Sequence, residues 1–296
     1  MLDKDHVNLV LSVDVHYDLM DSKKPTLFNI ELLPDIANTI QDVLSPYCTP
    51  KITWLISDDS QIIERFLDKK IATSNRNDEI GMHCLISKST CLEQAKEFEI
   101  KEYLENSVSL FGSYKIRPQS IRVAGCASSS AFFSCLEKQG FSVDSSAVPG
   151  RKREIEVSFD WGSTKESPYF PSKSDYRIQD KEMSNCHNVL EVPLTTIYTQ
   201  TTYDRLPLLR YLDLCFKPKI ISAEMTRKIR ENDLLVTIIH PMQLLQDKDK
   251  HELFAEGLED FKKNLLKIVD VCTNLGKNLN CFSLLDVARH HKSTKI

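Results

Sequence analysis

The sequence predicts an α/β protein whose parallel sheet closes into a barrel. Short apolar runs alternate with amphipathic stretches along most of the chain, and strand–helix alternation of this kind is typical of a parallel sheet. Roughly seven or eight such units fit within the 296 residues, which favours closure into a barrel over an open sheet. Because one barrel can occupy a chain of this length, we expect a single domain over residues 1–296.

The predicted strands are short apolar runs rich in β-branched residues. The first, residues 7–15, is almost entirely apolar, which is typical of a strand buried on both faces. The other strands are predicted at residues 51–56, 79–84, 120–124, 141–143, 189–192, 234–239 and 281–283.

The segments between these strands carry apolar residues at helical spacing. Residues 32–44 place Leu33, Ile36, Ile40 and Leu44 on one helix face. The remaining helices are predicted at residues 60–67, 92–110, 128–138, 222–231, 258–275 and 284–291. Gly140 follows the fourth of these seven helices at the position that favours a left-handed glycine.

Residues 149–188 interrupt the alternation with a polar stretch that is rich in serine, proline and charge. A connection this long without a clear period is uncommon inside a compact domain and is typical of a functional loop or lid. We therefore expect a long loop insertion in the barrel at this place.

Composition excludes several classes of protein. Lys plus Arg number 38 and Asp plus Glu 42, so the formal net charge is -4, whereas a dedicated nucleic-acid binder would carry a basic excess. The nine cysteines form no CxxC motif, which favours reduced thiols. No signal peptide is recognised, and no apolar run reaches the ~20 residues that span a membrane. We expect a cytoplasmic protein with no nucleic-acid partner; its oligomeric state stays open.

Ionisable residues stand at the ends of several predicted strands. The carboxyl ends of barrel strands share one rim, which carries the chemistry in barrels of this kind. A single Asp or His at a strand end is more often a cap or a solvated residue, but several at one rim favour a functional site. These residues are Asp14, His16, His83, Arg122 and His240.

Motifs of other enzyme classes are missing from the sequence. There is no G-x-S-x-G elbow of a serine hydrolase, and neither G-x-G-x-x-G nor a Walker loop occurs. Only eight glycines are present, which gives little support to a phosphate-cradling loop.

The order of several short motifs resembles the polysaccharide deacetylases with the NodB-homology fold. The resemblance covers roughly residues 7–290 and implies a distorted (β/α)7 barrel, a divalent metal with zinc as the expected ion, and removal of an N-acetyl group from a sugar. The motifs are Ser12-Val13-Asp14, Ile52-Thr53-Trp54-Leu55-Ile56, Asp78-Glu79-Ile80-Gly81-Met82-His83, Ile121-Arg122-Val123-Ala124-Gly125, Gly140-Phe141-Ser142-Val143-Asp144-Ser145-Ser146, Asp160-Trp161 with Pro168-Tyr169, Leu190-Glu191-Val192-Pro193 and Ile239-His240-Pro241.

The resemblance also implies roles for individual residues. Asp14 would be the general base that activates water, and Arg122 would hold its carboxylate. His240 would be the general acid that protonates the leaving amine. Tyr169 would cover the acetyl group or contact the oxyanion. A carboxylate beside His240 would keep it protonated; Asp160 or Glu191 could supply it, and we expect Asp160.

The predicted metal site departs from the family pattern. A second histidine is expected two or four residues after His83, but these positions hold Leu85 and Ser87. His16, two residues after Asp14, could replace it. The expected ligands are therefore His16, His83 and Asp14.

The substrate follows from the same resemblance together with the expected cytoplasmic location. A nucleotide- or lipid-linked N-acetyl sugar of capsule or O-antigen assembly fits best. Two alternatives stay open: a hydrolase of a small non-sugar amide or formamide, and a degenerate, non-catalytic barrel that binds glycans.

Overall fold

A computed structural model of the chain describes residues 5–16, 28–69, 71, 77–86, 92, 94–153, 159–245 and 252–293. Ser87, one of the two positions at which a second metal-binding histidine was expected, lies outside these residues. The chain divides into two compact units that interleave in sequence. The first comprises Met1–Trp54, Glu64–Glu79 and Thr195–Ser283, and the second comprises Leu55–Ile63, Ile80–Leu194 and Leu284–Ile296.

The strands of the described residues follow the predicted order, with two additional pairs. They are β1 (His6–Val15), β2 (Thr53–Ser57), β3 (Glu79–Cys84), β4 (Ser120–Val123), β5 (Val143–Asp144), β6 (Lys152–Arg153), β7 (Phe159–Asp160), β8 (Leu190–Glu191), β9 (Thr196–Thr199), β10 (Leu208–Tyr211), β11 (Leu234–Ile239) and β12 (Asn278–Phe282).

The helices alternate with these strands. They are α1 (Phe28–Leu44), α2 (Ser60–Asp68), α3 (Glu97–Ser113), α4 (Ser130–Gln139), α5 (Pro218–Glu231), α6 (Leu258–Asn274) and α7 (Leu284–Ser293). Gly140 ends α4 in the left-handed conformation with φ of 81°, as its position after the helix predicted. In the part of the chain that the structure describes, no helix is both long and apolar enough to span a bilayer.

The first unit is organised around the buried strand β1. This strand pairs in parallel with β11 on one side, with Val13 opposite Ile239, and with β12, where Val10 lies opposite Phe282. The strand order in this unit is β11-β1-β2. Every β1 residue from Val7 to Val15 is buried, which explains why the sequence of this strand is almost entirely apolar.

The second unit contains a run of parallel strands in the order β3-β4-β5-β8. Met82 lies opposite Ile121, Ser120 opposite Val143, and Val143 opposite Leu190. A helix separates β3 from β4 and β4 from β5 in sequence, whereas β8 follows β5 through the long segment that contains β6 and β7. The α/β class predicted from the alternation is confirmed.

The residues predicted as a loop insertion are packed into the second unit. Their described part contains the short antiparallel pair β6–β7, and Trp161 and Tyr169 are completely buried. The Trp161 indole donates to the carbonyl oxygen of Cys126 at 2.8 Å. The segment thus supplies core side chains, which its polar composition does not reveal.

The first unit also contains an antiparallel pair, β9–β10, that the sequence did not predict. Residues 200–207 join these two strands, and this loop is longer than the two to about five residues typical of a hairpin. Without a short Asn-Gly or Gly-rich turn, the local sequence carries no strong hairpin signal.

Two glycines provide a test of packing in the second unit. A Cβ on Gly81 would lie 2.3 Å from Ser120 Oγ and 2.9 Å from the Ser120 backbone oxygen, whereas Gly112 in α3 has no atom within 4 Å of that position. We predict that Gly81→Ala lowers the free energy of unfolding by about 1–3 kcal/mol. Gly112→Ala should raise it by up to about 1 kcal/mol, because glycine disfavours helix. Urea unfolding of both variants checks the prediction; equal stabilities would contradict it.

Candidate active site

The ends of β1 and β11 bring Asp14 and His240 together in the first unit. Val13 and Ile239 are opposite each other in the parallel register. Asp14 and His240, which follow them directly, therefore lie at the same edge of the sheet. His240 Nε2 is 3.8 Å from Asp14 Oδ2. The Asp14 side chain is only 2% exposed, while that of His240 is 17% exposed. His240 is therefore the member of the pair that an entering molecule reaches more easily.

A second carboxylate, Asp213, binds the opposite side of the His240 ring. Asp213 Oδ2 lies 2.6 Å from His240 Nδ1, and Asp213 Oδ1 accepts a hydrogen bond from the Cys215 backbone N–H at 2.8 Å. A buried carboxylate at this distance makes a strong charge-assisted bond to an imidazole N–H. We assign the proton to Nδ1 on this basis, which leaves Nε2 to exchange a proton on the side of Asp14.

Asp213 is held by a segment that runs beside β11. Leu214 donates its N–H to the Ile238 carbonyl at 3.0 Å, and Ile238 donates to the Leu212 carbonyl at 3.0 Å. The fully buried Asn264 of α6 donates from Nδ2 to the carbonyl oxygens of Leu214 and Phe216, at 2.9 and 2.8 Å. These bonds fix the backbone on both sides of Asp213.

Two further rings surround His240. The His16 ring lies edge-on to it with a centroid distance of 6.1 Å, and the Tyr211 ring is tilted against it at 5.7 Å. Three of the predicted site residues, Asp14, His16 and His240, are thus brought together in the first unit, and Asp213 and Tyr211 join them.

The carboxylate that the structure places against the His240 ring is Asp213, whereas Asp160 was expected there; a role of Asp160 at the site stays a prediction. Asp160 lies in β7 of the second unit, where its Oδ2 is 3.4 Å from Arg177 Nη1 and its Oδ1 accepts from the Gly162 N–H. It therefore forms a partly exposed ion pair and a local turn. The only sequence signal for Asp213 was an acidic residue within an otherwise apolar run.

The expected metal ligands are divided between the two units. Asp14 and His16 belong to the first, and His83, in β3 opposite Arg122, belongs to the second. Within the described residues, no group of three or more His, Cys, Asp or Glu is arranged to hold a metal ion. Catalytic zinc usually takes three protein ligands. The described residues do not supply such a set.

In the second unit, buried Arg122 is tied to the end of β5. Its Nε donates to the Ser145 carbonyl at 2.7 Å, and its Nη2 donates to Ser145 Oγ at 3.0 Å. Ser145 Oγ in turn donates to the Val192 carbonyl at 2.8 Å. The contact predicted between Arg122 and Asp14 would join residues of different units and stays a prediction.

Asp144 and Glu191 form a buried carboxyl pair next to Arg122. They are opposite each other in the β5–β8 register, and both are fully buried. Ser146 Oγ donates to Asp144 Oδ1 at 2.7 Å, and the Ala147 N–H donates to Glu191 Oε1 at 3.0 Å. Glu191 was one of the two carboxylates considered as partner of His240, and here it binds Asp144.

Burial raises the pKa of both members of this pair. Burial raises the pKa of Glu191 well above its usual value, and the nearby Asp144 charge raises it further. Burial also raises the pKa of Asp144, but hydrogen bonds from Glu191 and Ser146 and the Arg122 charge oppose that rise. Both carboxyl groups therefore hold a proton more tightly than in the unfolded chain, and the Arg122 charge favours the ionised form of Asp144.

Tyr169 is bound to one member of this pair through the backbone. Its N–H donates to the Glu191 carbonyl at 3.0 Å, and the Glu191 N–H donates to the Tyr169 carbonyl at 2.8 Å. Its hydroxyl donates to the Tyr176 carbonyl at 2.9 Å, and burial raises its pKa. The predicted contact of this side chain with an acetyl group or oxyanion stays a prediction.

Comparison with solved structures supports the fold over the whole chain. A protein described as a polysaccharide deacetylase from Mycobacterium smegmatis matches with a TM-score of 0.62 and 14% identity, over 100% of this chain and 93% of that one. The chain has a polysaccharide deacetylase fold. The predicted distorted (β/α)7 barrel of the NodB-homology type is thereby confirmed.

Two further structures show the same fold. A protein described as a glycoside hydrolase or deacetylase from Parabacteroides distasonis has a TM-score of 0.64 and 12% identity, over 97% of this chain and 72% of that one. PuuE allantoinase has a TM-score of 0.57 and 13% identity, over 99% and 93%. No protein-family model matches the sequence, and no curated protein matches it.

The buried carboxyl pair predicts a pH-dependent stability. Because both groups bind protons more tightly in the folded chain, the free energy of unfolding should fall as the pH rises above about 4, the ordinary pKa of these groups. Glu191→Gln keeps a donor to Asp144 and an acceptor for Ala147 but carries no titrating proton. For this variant, the free energy of unfolding measured in urea should decrease less than that of the wild type between about pH 5.5 and about pH 8.5.

The matched control is Glu182→Gln, which changes an exposed glutamate of the same unit. Its pH profile of stability should follow the wild type. An unchanged profile in Glu191→Gln as well would show that the pair does not hold an extra proton.

Proposed function

We propose that this protein is a carbohydrate N-deacetylase that hydrolyses the acetamide of an N-acetyl sugar. The observation that carries the proposal is the placement of His240 between Asp14 and Asp213 at the carboxyl ends of β1 and β11. The likeness to structures described as polysaccharide deacetylases supports the choice of substrate class.

The three residues suit amide hydrolysis because this reaction needs both a base and an acid. A base must take a proton from the attacking water, and an acid must give one to the amine, which is a poor leaving group. Asp14 carries the carboxylate for the first task. His240 presents Nε2 for the second, and its approach of 3.8 Å to Asp14 puts both groups at one reacting centre.

Asp213 is the positioning residue of this arrangement. Its bond to Nδ1 orients the His240 ring and stabilises the imidazolium form, from which Nε2 donates its proton. A negative charge that is buried beside the ring favours the cation more than an exposed charge would, because water screens it less.

The resemblance assigns Arg122 and Tyr169 to supporting roles, which stay proposals. Arg122 would hold the Asp14 carboxylate, and Tyr169 would cover the acetyl group. Neither role follows from the bonds described above, which tie Arg122 to Ser145 and the Tyr169 hydroxyl to Tyr176.

Zinc dependence is a separate proposal with its own test. The resemblance names His16, His83 and Asp14 as the ligands of this ion. Elemental analysis of the purified protein after incubation with zinc should then give one ion per chain. His83→Ala should lose it while the unfolding midpoint stays close to that of the wild type. Absence of bound zinc in the wild type would contradict this proposal.

The finer substrate proposal is a nucleotide- or lipid-linked N-acetyl sugar, met in the cytoplasm during capsule or O-antigen assembly. Acetate release from UDP-N-acetylglucosamine, from an undecaprenyl-linked N-acetyl sugar and from free N-acetylglucosamine tests it. A rate that is highest on a carrier-linked sugar supports this choice. Equal rates on all three would contradict it without affecting the broader class.

A second candidate function is hydrolysis of a small cyclic amide, which the likeness to PuuE allantoinase favours. The same acid–base pair would serve, since ring opening also needs activated water and a protonated nitrogen. Allantoin consumption without acetate release would identify this activity.

We predict that Asp14→Asn and His240→Ala each lower the rate of acetate release by about 10²–10⁴-fold. Each change removes a positioned proton acceptor or donor. Asp42→Asn is the matched control, because Asp42 is an exposed carboxylate on α1 of the same unit. The assay compares initial rates at equal protein concentration after far-UV circular dichroism has shown that all variants are folded. Full activity of either site variant would overturn the assignment of this site.

We predict that Asp213→Asn lowers kcat by about 10²-fold or more and leaves KM nearly unchanged. The asparagine fills the same space but removes the charge that stabilises the His240 cation. Steady-state kinetics together with thermal unfolding separates this role from a structural one. A variant that loses stability and keeps the wild-type kcat would show that Asp213 only supports the fold.

A further inference from the structure

Two cysteines of the first unit lie in direct contact. The Sγ atoms of Cys48 and Cys281 are 3.1 Å apart, although the residues are 233 positions apart in sequence. Cys48 follows α1 in a turn, where its N–H donates to the Leu44 carbonyl at 3.0 Å, and Cys281 lies in β12. The turn after α1 and the strand β12 therefore hold the two thiols against each other.

The geometry is close to that of a covalent bond. A disulfide has an S–S length of ~2.05 Å, so the two sulfur atoms need to approach by only about 1 Å more. Cys281 is 6% exposed, whereas Cys48 is partly exposed and accessible to a small reagent. The exposed member can thus be attacked first and the buried member can complete the bond.

The electrostatics of the pair distinguish the two thiols. The hydrogen bond from Cys281 lowers the pKa of Cys48, which makes Cys48 the better nucleophile near neutral pH. The same bond and burial raise the pKa of Cys281, whereas the Lys51 charge works in the opposite direction. Cys281 therefore remains a thiol until its partner has reacted.

Neighbouring cysteines can also bind a metal ion through their thiolates. Cys272 of α6 lies near enough for the Cys48 charge to raise its pKa. Nevertheless, no set of three or more His, Cys, Asp or Glu in the described part of the chain is arranged around a common metal position. The contact between two sulfur atoms favours a covalent pair.

We propose that Cys48 and Cys281 are a thiol–disulfide site that closes when the protein meets a low-molecular-weight disulfide such as oxidised glutathione. The Cys48 thiolate attacks one sulfur of the reagent, forms a mixed disulfide and expels one glutathione thiolate. Cys281 loses its proton and attacks the Cys48 sulfur, which expels the second glutathione. The protein pair is oxidised by two electrons, and one oxidised glutathione becomes two glutathione thiols.

The bond would reinforce the strands that carry the candidate site. It would tie the turn after α1 to β12, which pairs directly with β1. A crosslink between residues so far apart in sequence restricts the unfolded chain strongly, so the oxidised protein should resist unfolding more than the reduced protein.

The test uses the folded full-length protein and oxidised glutathione. After incubation and alkylation of the remaining thiols, a non-reducing peptide map should contain the peptides of Cys48 and Cys281 joined by a disulfide. Two protein thiols should be lost and two glutathione thiols released per chain. The thermal unfolding midpoint should rise by several degrees and return to its starting value after reduction with dithiothreitol.

Single substitutions show which cysteines form the linked peptide and raise the unfolding midpoint. Cys48→Ser should abolish both the linked peptide and the rise in midpoint, whereas Cys135→Ser, which alters a buried thiol of the second unit, should retain both. Cys272→Ser should also retain both. A wild-type protein that keeps both thiols, stops at a stable mixed disulfide or links another pair of cysteines would overturn the proposal. The peptide map of the wild type gives this answer even if a variant fails to fold.

Discussion

The parallel register of β1 and β11 is the constraint on which the candidate site depends. Parallel strands end at the same edge, and the pairing of Val13 with Ile239 aligns the ends of these two. A shift by one residue would turn the Asp14 side chain to the other face of the sheet. The apolar burial that fixes β1 therefore also fixes the distance between Asp14 and His240.

Burying ionisable groups at these strand ends carries a cost that the structure offsets with specific partners. An isolated charge in a protein interior is strongly unfavourable. For Asp213, contacts with the imidazole of His240 and with the Cys215 N–H offset the cost of burying the carboxylate. In the second unit, burial raises the pKa of Asp144 and Glu191, and the Arg122 charge opposes that rise.

Much of the framework could be predicted from the sequence, because strand and helix periodicities are local. The bounds of β3 and β11 agree with the predicted residues 79–84 and 234–239, and Asp14 and His240 could be placed because they end apolar runs. The α1 helix begins at Phe28, four residues earlier than predicted, and Pro34 inside it obscures the pattern of its first turns.

The partner of His240 could not be predicted in the same way. Asp213 lies 27 residues before His240, and its selection depends on how its segment pairs with β11. The expected partner, Asp160, stands beside a tryptophan in one of the motifs that carry the family resemblance. The Asp160 carboxylate instead binds the Arg177 guanidinium and the Gly162 N–H of a local turn. Side-chain partnership is a tertiary property, whereas a motif records only neighbours along the chain.

The fold alone does not determine which reaction the protein catalyses. The residues around His240 limit the choice to reactions that need proton transfer. A histidine held by one buried carboxylate and facing another is suited to moving protons between water and a leaving nitrogen. Sugar acetamides and cyclic amides both make this demand, and the structural neighbours include proteins named for each. They differ in what leaves: a sugar acetamide releases acetate, whereas a cyclic amide keeps both fragments in one molecule. The chemistry of the product, more than similarity of fold, is therefore the property that separates the two functions.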